Sequence, residues 1–118
     1  MVEFTIHGEL PNLNEIIAVS KKHWSSYSRM KKTYTHLVKL HARNLPKIEQ
    51  ADFEITWYCK DRRQDKDNVI AGQKFIFDGL VDAGVLINDG WSQIGDIKHT
   101  FEVDKKNPRV EVRIEEVS

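Results

Sequence analysis

The feature that most constrains this chain is a strict alternation of apolar and polar residues in "ADFEITWYCKD", residues 51–61. The apolar members occupy one side of an extended backbone: Phe53, Ile55, Trp57 and Cys59. This period of two predicts a half-buried β-strand to about Lys60, whose apolar face needs a second layer to cover it. "VEFTIHG", residues 2–8, alternates in the same way and predicts another strand that ends at a glycine.

Two later segments have the spacing of amphipathic helices. The first covers residues 27–45 and ends before a proline. Its apolar stripe consists of Met30, Tyr34, Leu37, Val38 and Leu40. The second covers residues 67–83, with Asp67 or Asn68 as its N-cap and Gly84 as its stop.

The remaining segments complete an α+β pattern. Residues 9–28 are rich in Pro, Asn and Ser, and they predict a loop with at most one short helical turn. Residues 92–104 and 108–117 predict two more strands joined by a turn. The predicted order is βαβαββ, a mixed sheet of about four strands with two covering helices, in a single domain spanning residues 1–118.

Composition excludes several classes of protein. Cys59 is the single cysteine, so neither an internal disulfide nor a cysteine-rich zinc site is possible. Eighteen Lys and Arg balance eighteen Asp and Glu, without the overall basic bias of many nucleic-acid or membrane binders. Since no segment has the apolar length of a membrane span or a leader, we expect a cytoplasmic protein with no membrane partner.

The balanced charge hides a basic segment. Residues 20–47 contain no acidic residue and carry eight basic ones: Lys21, Lys22, Arg29, Lys31, Lys32, Lys39, Arg43 and Lys47. Such a segment is typical either of a surface that faces a polyanion or of a solvated helix face balanced by the acidic second half. Composition leaves both interpretations open.

Seven aspartates lie within residues 61–98. Asp65 and Asp67 are two positions apart at the predicted strand-to-helix junction, where extended backbone directs both carboxylates to one side. Asp89 follows the second helix in a turn that can return the chain to the same end of the sheet. Three neighbouring carboxylates repel one another unless a cation lies between them, and an all-carboxylate set suits Mg²⁺. The pattern therefore favours a metal-dependent phosphodiesterase, in which Mg²⁺ helps water attack.

The sequence "DKDN" has two other interpretations. An EF-hand calcium loop is excluded, because its required Gly would fall at Ile70 and its bidentate Glu at Ile76. A purely structural role remains open, since D-x-D-N before a helix is also a capping and turn sequence.

Lys74 lies near the start of the second predicted helix. It is placed to neutralise charge on a scissile phosphate or to protonate a leaving oxygen. The alternative is an exposed lysine paired with Asp78 four residues on, which stabilises a helix by only about 0.2–0.5 kcal/mol.

The ordered motifs resemble the RusA family of Holliday junction resolvases. They are "DRRQDKDN" at residues 61–68 and "QKFIFDGLVDAGVLINDGWSQIGD" at residues 73–96, preceded by a similar Pro- and Asn-containing loop, "LPNLNEI", at residues 10–16. The resemblance implies a homodimeric, Mg²⁺-dependent endonuclease that nicks opposing strands of a four-way DNA junction symmetrically. On the matching positions it implies that Asp65, Asp67 and Asp89 bind the metal and that Lys74 is catalytic.

This chain departs from the family pattern at two places. Residues 69–72, "VIAG", contain a short insertion. If the helix continued without interruption, the added residues would rotate Lys74 around the helix axis relative to the aspartates. Asn88 occupies the position where many members have a first aspartate, and this leaves Asp89 as the ligand.

Branched DNA is the expected partner, and phosphate contacts would position it without reading sequence. The residues expected to bind DNA are Lys21, Lys22, Arg29, Lys31, Lys32, Arg62 and Arg63. Trp24, Tyr27 and Trp91 are candidates either for stacking on unpaired bases or for packing. Two alternatives remain: a branched-DNA-binding protein of this fold without cleavage activity, and an unrelated small domain whose aspartates are structural.

Overall fold

The computed structural model describes residues 1–117, which form four strands and four helices. The strands are β1 (Val2–His7), β2 (Ala51–Cys59), β3 (Ile94–Val103) and β4 (Arg109–Glu116). The helices are α1 (Leu13–Lys22), α2 (Trp24–Ala42), α3 (Lys66–Ile70) and α4 (Gln73–Asp82). The predicted α+β class with a mixed four-stranded sheet is confirmed.

The strands lie in the order β1-β4-β2-β3. β4 pairs antiparallel with both β1 and β2, whereas β2 and β3 are parallel and are joined by the crossover through α3 and α4. The β2–β3 register shifts by one residue near Phe53, a β-bulge after which pairing is regular to Cys59 opposite Val103. Since parallel strands end at the same edge, the segments after Cys59 and Val103 leave the sheet side by side.

The predicted alternation along β2 is the basis of the core. Phe53, Ile55 and Trp57 are each at most 3% exposed, and they pack with alternate residues of β1 and β4 under the helices. Burying each large side chain of this kind contributes roughly 1.5–3 kcal/mol, which makes the helix-facing side of the sheet the main source of stability.

The prediction of a loop across residues 9–28 is wrong for most of that segment. α1 begins with a capping box, in which the Asn12 side chain accepts from the Glu15 backbone N–H at 2.8 Å and the Glu15 carboxylate accepts from the Asn12 backbone N–H at 3.4 Å. The sequence carried this signal as N-x-x-E. α1 is also amphipathic, and Ile16 packs partly against the core, although none of its ten described residues is fully buried.

The long helix was predicted correctly but begins earlier, at Trp24. His23 caps it, its Nδ1 accepting from the Ser25 backbone N–H at 3.2 Å. The buried residues of α2 are Thr35, Val38 and Ala42. Leu40, predicted to lie in the apolar stripe, is exposed, because the buried side of α2 follows Thr35, Val38 and Ala42.

α2 and α4 approach closely at a glycine. A Cβ atom built on Gly79 would lie 2.5 Å from Cβ of Val38, so a larger residue would push the helices apart. This contact positions the side of α4 that carries Asp78. Within the part of the chain that the structure covers, no helix is long and apolar enough to cross a membrane.

Candidate active site

A groove of about 460 Å³ opens where β2 and β3 end. Its lining includes the end of β3 and the segment that follows β2: Cys59, Asp61, Arg62, Gln64, Asp65, Lys66, Val69, Phe101, Glu102 and Val103. Asp61 orders this segment, because its carboxylate accepts from the Arg63 backbone N–H at 2.9 Å and lies 3.8 Å from the Arg63 guanidinium. The acidic segment is therefore a defined turn beside the sheet.

Asp65 and Asp67 flank the start of α3, and both are exposed. Asp65 occupies the N-cap position with extended backbone, but its side chain makes no capping bond; its carbonyl accepts from Asn68 and Val69 instead. The Asp67 carboxylate accepts from the Asn68 backbone N–H at 3.0 Å. The N-cap is thus Asp65, not Asp67 or Asn68 as predicted, and the Asp65 carboxylate remains available at the groove.

The insertion at residues 69–72 interrupts the predicted helix. α3 ends at Ile70, and a turn through Ala71 and Gly72 leads into α4 at Gln73. A Cβ atom on Gly72 would lie 3.0 Å from Cβ of Leu10 and 3.3 Å from the Trp57 ring. The turn therefore packs tightly against the core at Gly72, and the insertion forms a corner instead of an added helical turn.

Asp89 lies in a second cleft, of about 640 Å³, between α2 and α4. The cleft is lined by Ser28, Lys31, Lys32, Thr35, His36, Asp78, Val81, Asp82, Asn88 and Asp89. The Asn88 side chain accepts from the Asp89 backbone N–H at 2.9 Å, which fixes the turn. The position occupied by Asn88 therefore contributes a structural bond next to the predicted ligand.

Lys74 contacts Asp78, which lines this second cleft. Its Nζ lies 3.8 Å from Oδ2 of Asp78, and Nζ of Lys31 lies at the same distance from the same oxygen. The Asp78 side chain is only 18% exposed, and that oxygen has no hydrogen-bond partner among residues 1–117. Asp78 thus links two lysines from different helices.

Sequence reasoning considered Asp78 only as a helical partner of Lys74. The four-residue spacing between Lys74 and Asp78 was the available signal, and it predicted this ion pair correctly. The second lysine, Lys31 on α2, was not detectable, because its contact with Asp78 depends on the packing of two helices.

The three predicted metal ligands do not come together in one group. Asp65 lines the groove and Asp89 lines the cleft, and the described residues contain no set of three His, Cys, Asp or Glu that could hold a metal ion. The chemistry of the donors nevertheless fits a hard cation, since Mg²⁺ takes one or two carboxylates and keeps several waters. The exposed pair Asp65 and Asp67 satisfies that smaller requirement.

Cys59 lines the groove at the end of β2. Burial of the thiol, together with the nearby charges of Glu9 and Asp61, raises the pKa of Cys59. The side chain therefore stays a neutral thiol near neutral pH, and it contributes packing at the end of β2.

The predicted DNA-binding residues divide between the two sites. Arg62 lines the groove, and Lys31 and Lys32 line the cleft. Lys21 and Lys22 form the exposed last turn of α1. The structure therefore spreads the basic residues over several faces of the molecule.

The aromatic candidates also differ in exposure. Trp24 and Trp91 are 84% and 98% exposed, whereas Tyr27 is half-buried. Trp91 lies two residues after Asp89, on a turn in which the Gln93 side chain accepts from the Gly90 backbone N–H at 3.1 Å.

Comparison with known proteins identifies a family. The family model for endodeoxyribonuclease RusA matches residues 13–115 of the 118-residue chain. A search of curated protein sequences found no match. The family match covers both α3 and α4 and all four predicted catalytic residues, and it confirms the predicted family and its endodeoxyribonuclease activity.

Proposed function

The chain belongs to the RusA family of endodeoxyribonucleases, and on this premise we propose that it resolves four-way DNA junctions by paired, symmetric nicks in a Mg²⁺-dependent reaction. The observation that carries the proposal is the exposed pair Asp65 and Asp67 at the end of β2, within the matched region. Asp65 lines the groove together with Arg62, and Asp67 lies two residues further on at the start of α3.

In the proposed site Asp65 and Asp67 would hold the metal, whereas Asp89 lines the separate cleft and is proposed as a further ligand on the family resemblance alone. Bound there, Mg²⁺ supplies positive charge that polarises the scissile phosphodiester. The Asp65 and Asp67 side chains are exposed and are not engaged in any ion pair among residues 1–117. Their negative charge is therefore available to a cation.

Lys74 is proposed to act on the phosphate. Its ammonium is half-exposed, and its ion pair with Asp78 is long, at 3.8 Å. Because Lys31 contacts the same carboxylate oxygen, Asp78 keeps one lysine partner when Lys74 turns toward DNA. Lys74 can then neutralise charge that develops on the phosphate or protonate the leaving oxygen.

DNA phosphates are proposed to contact basic residues of which three line the two sites and four lie elsewhere: Lys31, Lys32 and Arg62, and Lys21, Lys22, Arg29 and Arg63. Such contacts position a branched substrate without selecting a base sequence. A homodimer follows from the symmetry of the reaction, because two opposing nicks require two equivalent sites.

A second candidate function is a branched-DNA-binding protein that does not cleave. The placement of Asp65 and Asp89 in separate clefts favours it, as does the corner between α3 and α4. In that case the protein binds a four-way junction with Mg²⁺ present and leaves it intact.

The test is cleavage of a labelled four-way junction in Mg²⁺, beside a linear duplex with the same arms. We expect paired nicks on the junction alone, and Asp67→Asn should reduce their rate by about 100-fold or more. Glu49→Gln is the matched control, since Glu49 is an exposed acid in the loop before β2, away from the groove. Tight junction binding without nicks would establish the second candidate instead.

A further inference from the structure

β3 is an open edge of the sheet. It is ten residues long, whereas β1 at the opposite edge has six. Long exposed edges are hazardous, because their unpaired backbone groups can join another chain. β3 contains no proline, and the β-bulge lies only at its start, so residues 97–103 form an unbroken edge.

The backbone groups at this edge alternate in direction. Asp104 donates its backbone N–H to the Cys59 carbonyl at 2.8 Å, so even-numbered residues of β3 bond to β2. In a regular parallel pairing the odd-numbered residues then direct their N–H and C=O groups away from β2. The residues with free backbone groups are Ile97, His99, Phe101 and Val103.

The side chains of the same four residues are also incompletely covered. They lie on the helix-facing side of the sheet, because they pair with buried residues of β2. Ile97 is 37% exposed and Val103 is 47% exposed. Phe101 is half-buried, with Nζ of Lys66 placed 5.3 Å from its ring centroid. The helices therefore leave an apolar stripe open along β3.

We propose that β3 is the dimer seam: two copies join their sheets by antiparallel pairing of residues 97–103, with Thr100 on the twofold axis. The proposal rests on the homodimer of the proposed function and specifies its interface. In this register Ile97 lies opposite Val103, and His99 lies opposite Phe101. These are the residues whose backbone groups are free, so each pair exchanges hydrogen bonds across the seam.

Charge complementarity selects the register. With Thr100 on the axis, Lys98 of each copy lies opposite Glu102 of the other, and both residues are exposed. Because their own backbone groups face β2, this is a non-hydrogen-bonded pair, in which side chains approach most closely. Twofold symmetry produces the ion pair twice. Centring the seam on His99 instead would place Asp96 opposite Glu102, two like charges.

The ends of the seam are compatible with the same register. Asp96 lies opposite Asp104, but the Asp104 carboxylate is already paired with the Arg109 guanidinium at 2.8 Å. Strand pairing alone buries less than the about 1,200–2,000 Å² of a typical stable interface. The apolar stripe and the groove segment beside it must therefore also contact the second copy.

The seam places the two active sites symmetrically. Thr100 is three residues from the end of β3, or about 10 Å along the strand, and the groove begins at that end. The two grooves then lie roughly 20 Å apart along the strand direction, on opposite sides of the axis. That arrangement suits a reaction in which each groove nicks one of two symmetry-related DNA strands.

A charge exchange tests the seam by sedimentation equilibrium over a range of protein concentrations. Lys98→Glu and Glu102→Lys should each weaken the dimer by about tenfold or more, because each creates two like-charge contacts. The double variant K98E/E102K should restore dimerisation to within about threefold of the natural protein. Restoration distinguishes a direct cross-axis pair from two independent structural effects.

A proline substitution tests the backbone bonds. Val103→Pro removes an N–H that the monomer does not use, and proline is tolerated at such edge positions. We expect a weaker dimer with an unchanged unfolding midpoint for the monomer. Retention of full dimerisation by Lys98→Glu, Glu102→Lys and Val103→Pro would overturn the seam, as would a natural protein that stays monomeric.

Junction cleavage, measured in parallel, separates the two proposals. A dimer that responds to the charge exchange but does not cleave supports the seam and contradicts the nuclease assignment. If the protein cleaves junctions and its dimerisation is unchanged by all three single substitutions, only the proposed interface along β3 is contradicted.

Discussion

The groove at the end of β2 and the cleft between α2 and α4 hold their carboxylates in different ways. At and beside the groove, Asp65 and Asp67 are exposed; the Asp67 carboxylate accepts only from the Asn68 backbone N–H, and the Asp65 side chain makes no capping bond. In the cleft, Asp78 is mostly buried and lies 3.8 Å from two lysines. The first arrangement leaves negative charge available to a ligand, whereas the second neutralises it within the protein.

The difference follows from how each site is built. The groove belongs to a turn beside the sheet, and its geometry depends on local hydrogen bonds such as that from Arg63 to Asp61. The cleft depends on the packing of two helices through Gly79 and Val38. Changes that separate the helices should therefore affect the cleft and leave the groove intact.

Among changes to the residues that contact Asp78, we expect the largest effect from Lys74. Lys74→Ala should lower kcat for junction cleavage by about 100-fold with little change in KM, because the lysine acts on charge that develops at the phosphate. Lys31→Ala is the matched control, since Lys31 lies at the same distance from Asp78. We expect it to lower kcat by less than about tenfold. Equal losses for the two variants would mean that both lysines only support Asp78.

An intermediate effect should come from the helix contact. Gly79→Ala should reduce the free energy of unfolding by about 1–3 kcal/mol, because the new methyl group collides with Val38. Urea unfolding measures the change. Gly90→Ala is the control, since the nearest atom to its added Cβ would be Gln93 Oε1 at 3.3 Å, the end of a flexible side chain. Equal stability of Gly79→Ala and the natural protein would contradict the close approach of α2 and α4.

The smallest effect concerns pH and lies between β2 and β3. Nδ1 of His99 accepts a hydrogen bond from Nε1 of Trp57 at 2.9 Å, and burial lowers the pKa of His99 below its usual 6.5. The folded state thus favours the neutral imidazole. The resulting stability is fully present above the unfolded pKa and is lost as pH falls through the lower folded pKa.

Urea midpoints measured from about pH 7.5 to about pH 5 test this linkage, because an ordinary histidine titrates within that range. The natural protein should lose more stability over this range than His99→Phe, which has no imidazole to protonate. Parallel pH profiles for the two proteins would show that His99 does not contribute.

Local sequence patterns were sufficient for the sheet and the position of the acidic turn. The alternation in β2 correctly predicted that Phe53, Ile55 and Trp57 are buried, because each side of a strand meets one environment, whereas Cys59 at the end of the strand is only half-buried. α1 was missed although it is amphipathic and Ile16 packs partly against the core, because the surrounding Pro, Asn and Ser residues favoured a loop. Its N-cap, Asn12, was a further signal of the helix.

The sites were less predictable than the strands. The pairing of Lys74 with Asp78 was visible, because it depends on helical spacing alone. The contribution of Lys31 and the separation of Asp65 from Asp89 depend on how α2, α4 and the sheet pack. Those distances arise from long-range packing, which residue spacing does not encode.

The corner at Gly72 has a spectroscopic consequence. The ring of the buried Trp57 touches this corner on one side, and its indole N–H bonds to His99 of β3 on the other. Its fluorescence therefore reports on three elements at once, β2, β3 and the α3–α4 turn. Trp24 and Trp91, both highly exposed, emit at longer wavelengths and can be replaced by phenylalanine. What remains is a single tryptophan, at the point where the insertion meets the core, and excitation near the red edge of its absorption avoids the three tyrosines.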